Sequence, residues 1–197
     1  MKTTKSFITL LFFILTVGSL AQHSTETLNP PLGLTFGQSK EQAKLILNTK
    51  GGTIDPEYCN AEQLCYDRIR IGTFQSSFTI ARFVDNKLWD VDVYFVSDPE
   101  SKTFDLFHEL RMTLTSKYGT PNRCKSEFNG IYKDGDGYEL LAVKAGYADI
   151  CCVWAYMSNS MIMLTIPTSL AITLSYIDGA LAVYVDIKQG QKNNNDF

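Results

Sequence analysis

Two histidines and five cysteines are the residues of this chain best suited to proton transfer, nucleophilic attack or metal binding. His23 stands in a polar N-terminal stretch, which leaves His108, flanked by Asp105 and Glu109, as the imidazole on which acid–base catalysis would rest. A nucleophilic site would need the fold to bring Cys124 beside His108. The ordinary reading of His108 is a boundary residue on an amphipathic helix. No catalytic residue is therefore expected, with His108 and Cys124 as the candidates against that expectation. The cysteines show no Cys-x-x-Cys spacing and no histidine accompanies them, so no metal and no cofactor is expected.

Two groups of carboxylates invite chemistry and have plainer readings. In Lys133-Asp134-Gly135-Asp136-Gly137-Tyr138-Glu139, closely spaced acids and glycines suggest a calcium loop. An EF-hand would need an acid or amide where Tyr138 stands and a glutamate where Ala145 stands, so a solvated turn is expected. Asp90 and Asp92, two apart on a strand, could serve as paired acid and base. They are expected instead as ordinary charged residues on an outer sheet face.

The elements that would position these groups follow from pattern. Ser39-Lys40-Glu41-Gln42 is a capping box, and Ala43, Ile46 and Leu47 continue at helical spacing until Gly51-Gly52. Residues 64–95 alternate as strands, with Ile69 and Ile71 in one of them. A two-residue turn at Asp85-Asn86 pairs Arg82 with Trp89, Ile80 with Val91, Phe78 with Val93 and Ser76 with Phe95 on one face. Thr79, Ala81, Asp90 and Asp92 then fall on the other. That register leaves Phe83, Leu88 and Tyr94 outward as a candidate binding patch.

A second helix is capped by Asp98 with Pro99 at its first position. It buries Phe104, Phe107, Leu110, Leu114 and Tyr118, and ends at Gly119 and Pro121. Strands are expected at 138–144, 150–157, 161–166 and 170–177, then a strand or short helix over 180–187. The order of helix, strands, helix, strands predicts an α+β fold with helices on one face of an antiparallel sheet. It forms one domain over 39–187, with halves 39–97 and 98–187, after an extended lead-in at 22–38 and before a polar, flexible tail at 188–197.

Lys2 and Lys5, the apolar run from Phe7 to Val17 and the small residues Ser19 and Ala21 read as a secretory signal peptide over residues 1–21. The run is shorter than the roughly 20 residues of a membrane span, so a soluble exported protein without a membrane anchor, periplasmic or extracellular, is expected. An oxidising compartment makes Cys59, Cys65, Cys124, Cys151 and Cys152 disulfide candidates. Cys59 and Cys65 enclose a short polar loop and are the first choice, and Cys124 would pair with Cys151 or with Cys152. The net charge of −3 includes the two leader lysines, and no basic run occurs elsewhere, which argues against nucleic acid as a partner.

Leu34-Thr35-Phe36-Gly37-Gln38-Ser39-Lys40-Glu41-Gln42-Ala43 resembles the opening of many small exported bacterial envelope proteins. Lys117-Tyr118-Gly119-Thr120-Pro121 resembles a helix end of the same group. With the element order, the two motifs are similar to beta-lactamase-inhibitor-like domains and the related small outer-membrane assembly lipoproteins. No lipobox cysteine stands in the cleavage region Gly18-Ser19-Leu20-Ala21-Gln22-His23, a departure from the lipoprotein members. The resemblance implies a binding or scaffold domain without an active site. The expected function is a non-enzymatic exported domain that engages a protein partner, the alternatives being an envelope enzyme built on His108 and a purely structural envelope protein.

Overall fold

The computed structural model describes residues 28 to 195, the side chains as far as residue 191, so the leader, the cleavage region and His23 lie outside the described residues. In chain order the elements are α1 (Lys40–Asn48), β1 (Thr53–Ile54), β2 (Gln63–Asp67), β3 (Arg70–Ile71), β4 (Phe74–Gln75), β5 (Phe78–Val84), β6 (Lys87–Phe95), α2 (Thr103–Tyr118), β7 (Arg123–Phe128), α3 (Glu139–Lys144), β8 (Ala148–Ala155), β9 (Met161–Thr165), β10 (Ile172–Ile177) and α4 (Gly179–Asn195). Eight strands form one antiparallel sheet in the order β1-β2-β5-β6-β10-β9-β8-β7, and β3 and β4 form a separate two-stranded ribbon. Among the described residues the architecture is mixed α+β, with a large antiparallel sheet and four α-helices.

Alternation along each strand sorts the side chains onto two faces. One row across the sheet reads Leu64, Ala81, Val91, Tyr176, Ile162 and Trp154, and a neighbouring row reads Tyr66, Thr79, Val93, Leu174, Leu164 and Cys152. Every one of these side chains is buried. They form a first face that shares one core cluster with Ala43 and Leu47 of α1, Phe107, Leu110 and Leu114 of α2, and Val143 of α3. Burial on this scale drives folding, each large aliphatic or aromatic side chain adding about 1.5–3 kcal/mol. Polar atoms at its rim are matched. Tyr66 Oη donates to Asn48 Oδ1 at 2.7 Å, and Trp154 Nε1 donates to the Gly119 carbonyl at 2.8 Å.

The cap of α1 forms as its sequence predicts: Ser39 accepts from the Gln42 backbone while the Gln42 side chain accepts from the Ser39 backbone. Helix α2 begins later than Asp98 and Pro99 suggest. A short 3-10 turn, Glu100–Lys102, precedes it, and no side chain caps Thr103. At its other end Gly119 adopts φ 82°, the conformation that only glycine reaches without strain, and closes the helix.

Three other expectations are corrected. Residues 138–144 are not a strand: after Tyr138 the chain turns into α3, placing Ala142 and Val143 together on a buried helical side. Residues 123–128, given no element by pattern, form edge strand β7. They were obscured because an edge strand with exposed Arg123, Cys124, Ser126 and Glu127 lacks apolar alternation. Residues 188–195, expected as part of a flexible tail, continue α4, which starts on an Asp178 cap whose Oδ1 accepts from the Leu181 backbone at 2.9 Å. Tyr184 and Lys188 then anchor the helix to Asp85 at the β5–β6 turn.

Candidate functional site

The β5–β6 hairpin decides which side chains reach the second face. Its turn is the expected Asp85-Asn86, with φ of 47° and 60°, and Val84 pairs Lys87 while Phe83 pairs Leu88. The register then shifts, Arg82 pairing Asp90 and leaving Trp89 unmatched in a β-bulge. One extra residue exchanges the faces of everything beyond it. Phe78 therefore pairs Tyr94 and Ile80 pairs Asp92, while Thr79 and Ala81 share the first face with Val93 and Val91. The register predicted from an unbulged hairpin is overturned, and so is the patch of Phe83, Leu88 and Tyr94. Phe83 and Leu88 are core residues, 5% and 0% exposed, and only Tyr94 is on the second face.

Asp90 and Asp92 are consequently not free surface charges, being 4% and 9% exposed. Arg82 Nη1 bonds both carboxylates, reaching Asp92 Oδ2 at 2.7 Å and Asp90 Oδ2 as well. Tyr94 Oη donates to Asp92 Oδ2 at 3.1 Å, and Ser175 Oγ donates to Asp92 Oδ1 at 2.5 Å. A buried charge persists only where such partners replace water, and Asp92 has three. Burial, then repulsion from Asp92, pushes Asp90 up to about 7 against the pull of Arg82. Burial opposes the charge on Arg82, but Asp90 and Asp92 outweigh it and hold the guanidinium above its usual range. The site thus sets one arginine against two buried carboxyl groups, with Asp90 pushed up toward neutrality.

Beside this network runs a line of aromatic rings. Tyr58 stands edge-on to Phe78 with centroids 5.6 Å apart, and Phe78 lies 6.4 Å from Tyr94. Tyr58 is 59% exposed, while Phe78 and Tyr94 are half-buried. An aromatic strip with a polar anchor at one end suits recognition, offering rigid apolar area beside hydrogen-bonding groups.

A cleft of about 650 Å³ opens where the hairpin meets α4 and the loop before β2. The loop contributes Asn60 and Glu62, the start of β2 Gln63, the hairpin Arg82, Asp85 and Trp89, and α4 Val185, Lys188, Gln189 and Gln191.

The remaining candidates disperse. His108 is exposed on α2, its Nδ1 3.0 Å from Arg111 Nη2, and it is not among the cleft-lining residues. Cys124 is bonded to Cys152 in a disulfide across β7 and β8, so it carries no free thiol. That settles the pairing left open for Cys124, with Cys151 on the opposite face as a free thiol. Cys59 and Cys65, the first choice for a bridge, are both free. The Cys65 backbone N–H donates to Cys59 Sγ at 2.8 Å, and burial followed by the neighbouring Cys59 pushes the Cys65 thiol up to about 12. In the acidic loop, Asp136 accepts from the backbones of Lys133 and Tyr138, each at 2.8 Å, and so serves the turn itself. Among the described residues no group of three or more His, Cys, Asp or Glu side chains could hold a metal ion, and no helix is long and apolar enough to cross a membrane.

Sequence reasoning named Asp90, Asp92 and Tyr94 but missed Arg82, Ser175, Tyr58, Phe78 and Trp89. The available signal was the lone arginine within an apolar strand, Ile80-Ala81-Arg82-Phe83-Val84, opposite a strand bearing two aspartates. Compared with protein-family models, with curated proteins and with solved structures, the chain shows no significant match.

Proposed function

We propose that this chain is an exported, non-enzymatic binding domain whose second sheet face receives a protein partner. Helices α1 and α2 cover the first face in this reading, supported by their hydrogen bonds to Tyr66 and Trp154 and by the shared core cluster. The fold is read as two helix-then-strands units joined where β6 pairs β10, in keeping with the resemblance to beta-lactamase-inhibitor-like domains. The observation that carries the proposal is the Tyr58–Phe78–Tyr94 strip running into the Arg82–Asp92 network. Exposed aromatic area next to an ordered polar anchor is the composition of interaction hot spots, and here it lies on the face without the continuous apolar rows. No observation favours catalysis through His108, whose ring nitrogen faces Arg111 on an exposed helix side.

The test is site-specific photocrosslinking in extract from the source cells. A benzophenone side chain at Tyr58 is expected to yield a discrete protein adduct, and the same probe at Glu109 on α2 to yield none. Equal adducts at both positions, or none at Tyr58, would overturn the reading.

A further inference from the structure

We infer that the cleft between the β5–β6 hairpin and α4 is a binding site for a neutral oligosaccharide, adjoining the aromatic strip proposed to receive a protein and sharing only Arg82 with its polar anchor. The inference starts from the bulge. A regular hairpin would pair Trp89 and fix it in the alternation, whereas the register shift leaves it unmatched, half-buried and lining the cleft. Bulges commonly re-aim one side chain toward a site in this way. The other tryptophan, Trp154, is 2% exposed in the core with its indole N–H satisfied, so the two are built for different tasks.

Charge then narrows the ligand. The cleft holds two cations and two acids: Arg82 is committed to Asp90 and Asp92, and Lys188 to Asp85, while Glu62 is exposed at the rim. No unpaired cation is offered to a phosphate or carboxylate, and no acid cluster to a cation. What the walls add is a set of side-chain amides: Gln189 and Gln191 from α4, the Nδ2 of Asn60, whose Oδ1 accepts from the Glu62 backbone, and the Oε1 of Gln63 at the start of β2, whose Nε2 donates to the Tyr58 carbonyl. Amides donate and accept at once, as vicinal hydroxyl groups do, and an indole face suits the C–H side of a pyranose ring. A volume of about 650 Å³ lies within the range of small-ligand sites. A flat aromatic, balanced charge and amides on two walls match a sugar better than a nucleotide, a metal ion or a fatty chain.

Titration of the purified protein with maltotriose, cellotriose and triacetylchitotriose, read by tryptophan emission and by calorimetry, tests this. At least one is expected to give a saturable change in emission, because Trp154 is shielded and Trp89 reports the cleft. A sialylated trisaccharide is expected to bind no tighter. Trp89→Ala should weaken the calorimetric Kd about tenfold or more and Trp89→Tyr should largely restore it. The double variant Gln189→Ala, Gln191→Ala, at two exposed positions of α4, should weaken it about fivefold. Silence toward all three neutral sugars, preference for the charged one, or full affinity in Trp89→Ala would each overturn the assignment. The Tyr58 crosslink is read independently, so failure here leaves the protein-binding reading where it stands.

Discussion

The two faces of the sheet are made by the same strands and solve opposite problems. On the first, rows such as Leu64, Ala81, Val91, Tyr176, Ile162 and Trp154 are continuous and buried. On the second, the central row reads Cys65, Ile80, Asp92, Ser175, Met163 and Val153, half-buried at several positions and polar at its middle. The first face gains its stability from apolar area, which tolerates no gaps. The second holds charge at the cost of desolvation, which is tolerable only because Arg82, Tyr94 and Ser175 surround the carboxylates. A face optimised for stability alone would not be built like the second, and that contrast carries the functional reading.

Neighbouring residues provide the sharpest way to break the contrast. Cys152 and Cys151 are adjacent on β8 but point to opposite faces, and only Cys152 is bridged. Cys152→Ser opens a loop with a sequence separation of 28 and should cost about 3–4 kcal/mol in urea unfolding under oxidising conditions. Cys151→Ser should stay within about 0.5 kcal/mol of wild type. Equal losses would mean that both faces are core. On β9 the same comparison uses truncation: Leu164→Ala should cost about 3 kcal/mol by the same measurement, and Met163→Ala less than about 1 kcal/mol. A large loss at Met163 would show that the second face is packed rather than open.

The smallest expected effect concerns the proton on Asp90. Its folded pKa is raised from 3.8 to about 7, so the native state binds a proton more tightly than the unfolded chain. The resulting stability is fully present below the unfolded value and is lost as pH rises through the folded one. Wild type should therefore lose about 1 kcal/mol or more between pH 5 and pH 8, a window spanning most of that rise. Asp90→Asn keeps an acceptor for Arg82 but cannot titrate, and its denaturation midpoint should be flatter over the same range. Parallel curves for the two proteins would remove Asp90 as the titrating group.

Much of the fold was legible because it rests on local chemistry. The capping box at Ser39, the stripe of Phe107, Leu110 and Leu114, the Asp85-Asn86 turn and the strands near 150, 161 and 172 all follow from short-range pattern. The site was not legible, for one physical reason. Whether a strand continues regularly or bulges at Trp89 depends on what packs against both faces, and Arg82 with Asp90 is a better partnership than Arg82 with Trp89. That single shift moved Phe83 and Leu88 into the core and brought Asp90 and Asp92 into the network. Edge strand β7 and the continuation of α4 past residue 187 were hidden for a related reason, since both are fixed by distant partners, β8 and Asp85.

The ends of the sheet carry a consequence for how copies of this chain behave together. At one margin β1 has only two residues, and at the other β7 presents Arg123, Lys125 and Glu127 and is fastened to β8 by the disulfide. The outer edge of β7 is unpaired among the described residues, and its alternating charges discourage another molecule from extending the sheet there. Production in a reducing cytosol would leave that fastening unmade, and strand β7 is then where intermolecular pairing and precipitation are expected to begin. Forming the disulfide is thus expected to limit edge-to-edge association as well as to add stability.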